Sequence, residues 1–108
     1  MSWSVETLNE AVDRELDALP ADMRARFARI CRLIAAVGIE RMCAPHVRHL
    51  SGPVWEMRLS GRDGISRALY VAVADTRVVD VRVFLKKTRR TPRREIELAL
   101  RRAREAMT

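Results

Sequence analysis

The sequence has few of the residues that mark several protein classes. Its two cysteines, Cys31 and Cys43, are too few for a disulfide framework and fit a reducing compartment. Only 5% of the residues are aromatic, and there is no run of about 18 apolar residues, so no membrane-spanning helix is expected. The first residues include Glu6 and Glu10 and lack the basic and apolar blocks of a signal peptide. These absences predict a soluble, cytoplasmic protein with no membrane partner.

Acidic residues are outnumbered by basic ones, 14 against 21, and the net charge is +7. Residues 1–22 hold six acids and one base, whereas residues 86–104 hold nine bases and two acids. Apolar residues make up 48% of the 108-residue chain, which excludes a disordered tail and favours a single folded domain over residues 1–108. The natural partner of so basic a surface is a polyanion. The alternative is a solvated face of mutually repelling arginines, because 19 of the 21 bases are Arg.

Apolar residues at helical spacing predict two N-terminal helices. Thr7 and Glu10 have the spacing of a capping box, which predicts a first helix over 8–19. A second apolar stripe predicts a helix over 21–37 that ends at Gly38. We expect the two helices to form an antiparallel hairpin.

From Val54 the apolar spacing changes to two, which predicts strands. Three strands joined by short turns predict an antiparallel meander. Thr91 and Pro92 then predict the N-cap and first residue of a C-terminal helix, and residues 2–6 are a candidate edge strand. The expected fold is α+β, with two N-terminal helices packed on a small antiparallel β-sheet and a C-terminal helix.

Charged side chains on the predicted strands are placed to meet in one groove. Glu56 and Arg58 share a strand face, Arg67 begins the next strand, and Lys86 ends the third. Cleavage of an RNA phosphodiester needs a proton acceptor, a proton donor for the leaving oxygen and cations for the developing charge. We expect Arg58, Arg67, Lys86 and Lys87 to supply the cations, and Glu56 or a lysine of lowered pKa to accept the proton. The alternative is a Glu56–Arg58 ion pair on a solvated sheet.

Three aromatic residues on the predicted strands are candidates for stacking on nucleobases: Trp55, Tyr70 and Phe84. Each has packing in the core as its alternative, and the alternation with Met57 and Leu59 favours packing for Trp55.

Cys43, His46 and His49 have a spacing that metal ligands can adopt. Three potential ligands on one proline-containing loop, with no second cluster, are weak evidence for a metal. We therefore expect neither a metal nor another cofactor. Motifs of serine hydrolases, P-loop NTPases and dinucleotide-binding folds are absent from the sequence, so those chemistries have no support.

Three stretches of sequence carry a family resemblance: LSGPVWEMR at 50–58, RALY at 67–70 and FLKKTRRTPRREIELALRRAREAM from Phe84. In motif and order they resemble the RelE/HigB toxin superfamily, and most of all its phage-derived HigB-type branch. The resemblance implies a RelE-like fold. It also implies a type II toxin, an endoribonuclease that cuts mRNA on the ribosome at the A site of the 30S subunit until a cognate helix-turn-helix antitoxin binds it.

The resemblance further implies roles for individual residues. Arg58 falls where the family places a catalytic base or a phosphate-binding cation, and Arg67 matches an arginine that contacts phosphate. Lys86 or Lys87 matches a basic residue that acts as an acid or stabilises charge. The motif W-E-x-R at 55–58 belongs to the phage-derived branch.

Two departures from the family pattern bear on RNA binding. Ser66 stands where an aromatic residue is usual, and no tyrosine follows the lysine pair. Base stacking is then expected from Tyr70 or Phe84, with Arg89 and Arg90 extending the RNA-binding surface. The sequence offers few side chains that could transfer a proton. This scarcity favours a toxin that depends on the ribosome to position its RNA and that cuts naked RNA weakly. The alternative is a non-catalytic RNA- or DNA-binding module or an inactive toxin remnant.

Overall fold

The structure is a computed structural model that describes residues 3–39, 47–74, 76–86 and 89–107. In these residues the chain forms the helices α1 (Glu10–Asp17), α2 (Ala21–Val37) and α3 (Arg93–Ala106). The strands are β1 (Ser4–Thr7), β2 (Val47–Ser51), β3 (Val54–Gly61), β4 (Gly64–Val73) and β5 (Arg77–Leu85). Within these ranges, no helix has both the length and the apolar character that crossing a membrane requires.

The strands form one sheet in the order β1-β5-β4-β3-β2. The meander of β3, β4 and β5 is antiparallel, as predicted, and β2 adds to it as an antiparallel edge strand. At the other edge β1 runs parallel to β5, so the sheet is mixed and not wholly antiparallel. A parallel pair is possible here because the intervening helices and strands supply the long connection that it needs. The fold class is α+β, and the candidate edge strand at 2–6 is observed as β1.

The start of α1 differs from the sequence prediction. Asn9 is the N-cap, and its side chain accepts a hydrogen bond from the N–H of Val12 at 3.1 Å. The predicted capping box of Thr7 and Glu10 is therefore wrong, because a stronger capping residue stands immediately before the helix.

The other helices follow the predicted bounds closely. The helix α2 covers the predicted range and ends at Gly38, whose φ of +84° suits glycine. A Cβ there would lie 2.7 Å from the Trp3 indole nitrogen, so the ring packs directly on the glycine. The helix α3 begins one residue later than predicted, with Pro92 at the N-cap and no side-chain cap. The prediction of Thr91 as N-cap is wrong, because its hydroxyl is used elsewhere.

The sheet has a hydrophobic core on each face. The core shared with α1 and α2 includes Met23, Ile34, Met57 and Tyr70. The core shared with α3 includes Val54, Leu69, Val79 and Ala99. The helix α1 packs chiefly on β5 and α2 chiefly on β3, so the sheet positions both helices; the hairpin packing expected between them stays a prediction.

A β-bulge in β5 breaks the alternation that the sequence shows. Leu69 pairs with Arg82 and Tyr70 with Asp80, which leaves Val81 as the extra residue. Asp80 therefore lies with Tyr70 on the face covered by α2, whereas Arg82 lies with Leu69 on the face covered by α3. Strict alternation would have placed the two charged residues on the same face.

Candidate functional site

Glu56 on β3 is the centre of a buried polar network. Its side chain is fully buried, and it accepts hydrogen bonds from the Arg67 guanidinium and from the Thr91 hydroxyl. The Arg48 guanidinium approaches the same carboxylate, with 3.6 Å between Arg48 Nη2 and Glu56 Oε1. The interpretation of Glu56 and Arg58 as a solvated ion pair is therefore wrong. With no exposed surface, Glu56 is also badly placed to take a proton from a substrate hydroxyl.

Arg67 on β4 is held almost completely inside the protein. It is 3% exposed, and its Nη1 donates to Glu56 and, at 3.0 Å, to the Thr91 hydroxyl oxygen. Its Nη2 donates to the carbonyl of Arg89 at 3.1 Å. These bonds use both terminal nitrogens of Arg67, and its Nε is a buried donor without a hydrogen-bond partner among the described residues. With 3% of the residue exposed, Arg67 does not present a surface for the phosphate contact that the sequence predicted. Arg67 contributes its positive charge to the site from beneath the surface.

Three further cations surround this buried pair. Arg48 on β2 is 59% exposed, and Arg58 on β3 is half-buried opposite Arg67. Lys86, immediately after β5, is half-buried. We call these five residues the basic cluster: Arg48, Glu56, Arg58, Arg67 and Lys86.

The electrostatics of the basic cluster favour an anion. Among the described residues, the Nε of Arg58 is a buried donor with no hydrogen-bond partner. Partial desolvation lowers the pKa of the Lys86 ammonium, and the charges of Arg67, Arg58 and Arg48 lower it further, against the opposing charge of Glu56. A lysine of lowered pKa gives up its proton more readily than a free lysine. The cluster can bind a phosphate and supply a proton beside it.

Sequence reasoning missed two members of this site, Arg48 and Thr91. Arg48 stands in a segment treated as loop, but a hairpin turning at 52–53 pairs Arg48 with Glu56. The turn residues Gly52 and Pro53 were the available signal. Thr91 could not be found this way, because the T-P pair before a helix normally marks a cap.

The predicted aromatic residues are not brought together. Trp55 is 40% exposed and lies on the sheet face opposite Glu56, in an edge contact with His49 at 5.1 Å between ring centroids. The exposure of Trp55 contradicts its packing interpretation. Stacking of Trp55 on a nucleobase stays a prediction, on the sheet face away from the basic cluster. Tyr70 is 1% exposed in the core beneath α2, and burial raises its pKa, so it cannot stack on a base. Phe84 is half-buried and pairs with Arg67 across the strands, which leaves it beside the cluster.

The remaining predicted residues have mixed outcomes. Arg89 and Arg90 are exposed between β5 and α3, next to the cluster. Lys87 lies outside the described residues, as do the metal-ligand candidates Cys43 and His46. The Nε2 of His49 lies 2.9 Å from the carbonyl oxygen of Gly52. In the described ranges no group of three His, Cys, Asp or Glu side chains is arranged to hold a metal.

Comparison with known families adds an independent observation. The family model described as phage derived protein Gp49-like matches residues 14–104. The chain belongs to the phage-derived Gp49-like family. The match begins within α1 and spans α2, every strand of the meander and most of α3. No curated protein matches this sequence.

Two solved structures resemble the fold. A free-state mutant of the E. coli toxin RelE has a TM-score of 0.68 and 16% identity, with 94% of this chain and 98% of that chain covered. A chain of the archaeal RelE-RelB complex from Pyrococcus horikoshii OT3 has a TM-score of 0.60 and 19% identity, with 81% of this chain and 98% of that chain covered. These likenesses show that the chain has the RelE fold. Together with the family match, they confirm the resemblance to the RelE/HigB superfamily.

Proposed function

We propose that this protein is the toxin of a type II toxin-antitoxin system, an endoribonuclease that cuts mRNA on the ribosome. The observation that carries the proposal is the convergence of Arg48, Arg58 and Lys86 over a buried Glu56–Arg67 pair, on a RelE fold. Family membership supports the same conclusion. The substrate is an RNA phosphodiester, for which a concentrated positive charge is the principal requirement.

The geometry supports a division of roles. The 2′-hydroxyl of RNA gives up its proton to solvent water, and its oxygen bonds to the adjacent phosphorus while the bond to the 5′-oxygen breaks. Negative charge on the phosphoryl oxygens increases during this step. Arg48 and Arg58 are placed to stabilise that charge. Lys86, with its lowered pKa, is placed to protonate the leaving 5′-oxygen. Glu56 is not the proton acceptor in this scheme, because it is buried and already hydrogen-bonded.

The partners follow from the same proposal. We infer that mRNA in the 30S A site is the substrate, which places the protein in the cytoplasm. A cognate antitoxin holds the toxin inactive, as supported by the fold shared with a chain of the archaeal RelE-RelB complex. The helix-turn-helix type of that antitoxin is an expectation from the sequence resemblance.

The decisive experiment is induction of this chain alone in bacterial cells, with growth followed and mRNA 5′ ends mapped within minutes. Growth arrest with new ends inside translated frames is expected. Unchanged growth and unchanged mRNA, in cells where soluble folded protein is confirmed, would contradict the proposal.

Replacing either half-buried cation, Lys86 or Arg58, should slow cleavage strongly without unfolding the protein. Lys86→Ala and Arg58→Ala are each expected to slow ribosome-dependent cleavage by about 10²–10³-fold, because each removes a group that stabilises the transition state. Single-turnover cleavage of mRNA on purified 70S ribosomes measures the effect. Arg29→Ala is the matched control, since Arg29 is an exposed arginine of α2 on the other sheet face. A rate for Lys86→Ala equal to that of Arg29→Ala would contradict the assignment.

A second candidate function is a non-catalytic RNA-binding module. It is favoured by the composition of the basic cluster, whose described residues include no histidine and no exposed carboxylate. The two functions differ in the behaviour of Lys86→Ala. If the protein is an enzyme, Lys86→Ala loses cleavage but retains most of its affinity for the ribosome. If it is a binding module, the wild type inhibits translation without producing new mRNA ends, and Lys86→Ala loses ribosome affinity and inhibition in parallel.

A further inference from the structure

Lys86 is one of only two lysines in the chain, and the sheet holds its backbone beside the arginines of the basic cluster. The N–H of Lys86 donates to the carbonyl of Ile65 at 2.8 Å, so the ladder with β4 continues past the end of β5. Lys86 therefore follows Phe84 by one alternation, and Phe84 pairs with Arg67. The side chain of Lys86 is half-buried, which leaves part of it open to a small molecule in solution.

The surroundings of Lys86 suit the phosphate group of a small molecule. In the basic cluster the four cations Arg48, Arg58, Arg67 and Lys86 are accompanied by one carboxylate, that of Glu56. Arg58 and Arg67 lie opposite each other on β3 and β4, and the Nε of each is a buried donor with no partner among the described residues. Phosphate oxygens are the acceptors that guanidinium donors bind best. The cluster therefore offers a phosphate charge and hydrogen bonds next to an amine.

The same surroundings make the Lys86 amine a better nucleophile than that of an ordinary lysine. Only an unprotonated amine attacks a carbonyl carbon, and at neutral pH a free lysine is almost wholly protonated. Partial desolvation lowers the pKa of Lys86, and the charges of the neighbouring arginines lower it further, against the opposing charge of Glu56. Each unit by which the pKa falls increases the unprotonated fraction at neutral pH about tenfold. A phosphate-binding place beside such an amine suits an acyl phosphate, which joins an anionic phosphate to an electrophilic carbonyl carbon.

We propose that Lys86 is an acylation site, at which Arg48 and Arg58 bind the phosphate of an acyl phosphate and bring its carbonyl carbon to the Lys86 amine. The amine nitrogen bonds to the carbonyl carbon, and the bond from that carbon to the phosphate oxygen breaks. Inorganic phosphate leaves with the bonding electrons, and the nitrogen loses a proton to solvent water. The product is a neutral amide on Lys86.

Acylation of Lys86 would regulate the site, and this consequence rests on the proposed RNA-cleaving function. An amide carries no positive charge and does not release a proton as an ammonium does. The acylated protein therefore lacks both the proton donor for the leaving 5′-oxygen and one cation of the basic cluster. An abundant acyl phosphate would hold the toxin inactive without an antitoxin.

The test uses acetyl phosphate on the purified full-length protein, with Lys87 as the internal reference because it is the chain's other lysine. Peptide fragmentation in a mass spectrometer measures acetylation of each lysine over time, near pH 7. Lys86 is expected to react at least about tenfold faster than Lys87, because a lowered pKa and a bound reagent both favour it. Inorganic phosphate should slow the reaction at Lys86 and spare Lys87, because it competes for the arginines.

A neutral reagent, p-nitrophenyl acetate, separates phosphate binding from the reactivity of the amine. Arg58→Ala should slow acetylation of Lys86 by acetyl phosphate at least about threefold more than acetylation by p-nitrophenyl acetate, because only acetyl phosphate binds to the arginine. Arg48→Ala, at a position that is 59% exposed, repeats the comparison if Arg58→Ala does not fold. Arg29→Ala is the matched control and should leave both rates unchanged, since Arg29 is exposed on the other sheet face.

Equal acetylation rates at Lys86 and Lys87, or a Lys86 rate that inorganic phosphate does not lower, would overturn the acylation site. Its regulatory consequence has a separate readout, because protein acetylated at Lys86 should lose cleavage on purified 70S ribosomes in proportion to the modified fraction. Cleavage at the wild-type rate by the acetylated protein would refute that consequence. If the wild type itself cuts no mRNA, the proposed function fails, and the acetylation rates still decide whether Lys86 is an acylation site.

Discussion

Glu56→Ala is expected to lower the free energy of unfolding by about 3–5 kcal/mol, because it leaves the Arg67 guanidinium buried without a counter-charge. Arg67 is 3% exposed, so water cannot replace the lost carboxylate unless the site opens. For a domain of this size the midpoint of thermal unfolding should fall by about 10–20 °C. Urea unfolding followed by circular dichroism measures the change.

A surface ion pair in the same protein is the matched control. Glu6 and Arg77 bond across β1 and β5 at 2.5 Å, but their side chains are 44% and 45% exposed. Glu6→Ala should therefore cost no more than about 1 kcal/mol. Equal losses of stability for Glu56→Ala and Glu6→Ala would contradict a stabilising role of the buried Glu56–Arg67 pair.

Removing both buried charges tests the physical cause. Glu56→Met combined with Arg67→Met should recover at least half of the stability lost in Glu56→Ala, because no unpaired charge stays behind.

The stability of these variants also decides which substitutions can report on catalysis. Arg67→Ala confounds folding with chemistry, so Lys86→Ala and Arg58→Ala are the useful substitutions.

Asp80→Val is expected to raise the free energy of unfolding at pH 7 by about 1–3 kcal/mol, since it removes a buried polar group that has no hydrogen-bond partner. Asp80 is fully buried on the face under α2, and both its carboxylate oxygens lack a partner among the described residues. Valine suits the β5 backbone and approximates the volume of aspartate. Thermal unfolding of the two proteins at pH 7 checks the sign, and a lower midpoint for Asp80→Val would contradict it.

The effect of Asp80 should depend on pH. Burial raises the pKa of Asp80 well above its usual value. Below about pH 4 the carboxyl is protonated in both the folded and unfolded chains and costs nothing extra through ionisation. As the pH rises, the unfolded chain ionises first, so stability falls by up to about 1.4 kcal/mol per pH unit until the folded pKa is reached.

The pH series therefore compares three proteins between pH 4 and pH 8. The difference between Asp80→Val and the wild type should grow with pH. Asp80→Asn should remove this pH dependence but gain less stability than Asp80→Val, because its amide is still a buried polar group. Subtracting the free energy of unfolding of the wild type from that of each variant cancels the contributions of the other carboxylates. These include Glu6 and Asp22, whose pKa values are lowered by hydrogen bonds to Arg77 and Arg62. A difference that is constant with pH would contradict the assignment to Asp80.

The sequence by itself determined the secondary structure that follows from local rules. Apolar periodicity set the range of α2 and the meander of β3, β4 and β5, because side chains alternate with a period fixed by the backbone. Charge patterns and motifs also identified four members of the basic cluster: Glu56, Arg58, Arg67 and Lys86. Those signals are contained in neighbouring residues and need no knowledge of distant contacts.

Only the tertiary structure decided what these residues do. The bulge at Val81 separated Asp80 from Arg82, and strand pairing brought Arg48 to Glu56. Thr91 shows why sequence could not suffice, since its local pattern predicted a helix cap. The Thr91 hydroxyl instead bonds to the buried carboxylate of Glu56 on β3, 35 positions away in sequence. Burial increases the cost of an unpaired charge far above that of an unfilled cap, so the contact between distant residues overrides the local preference.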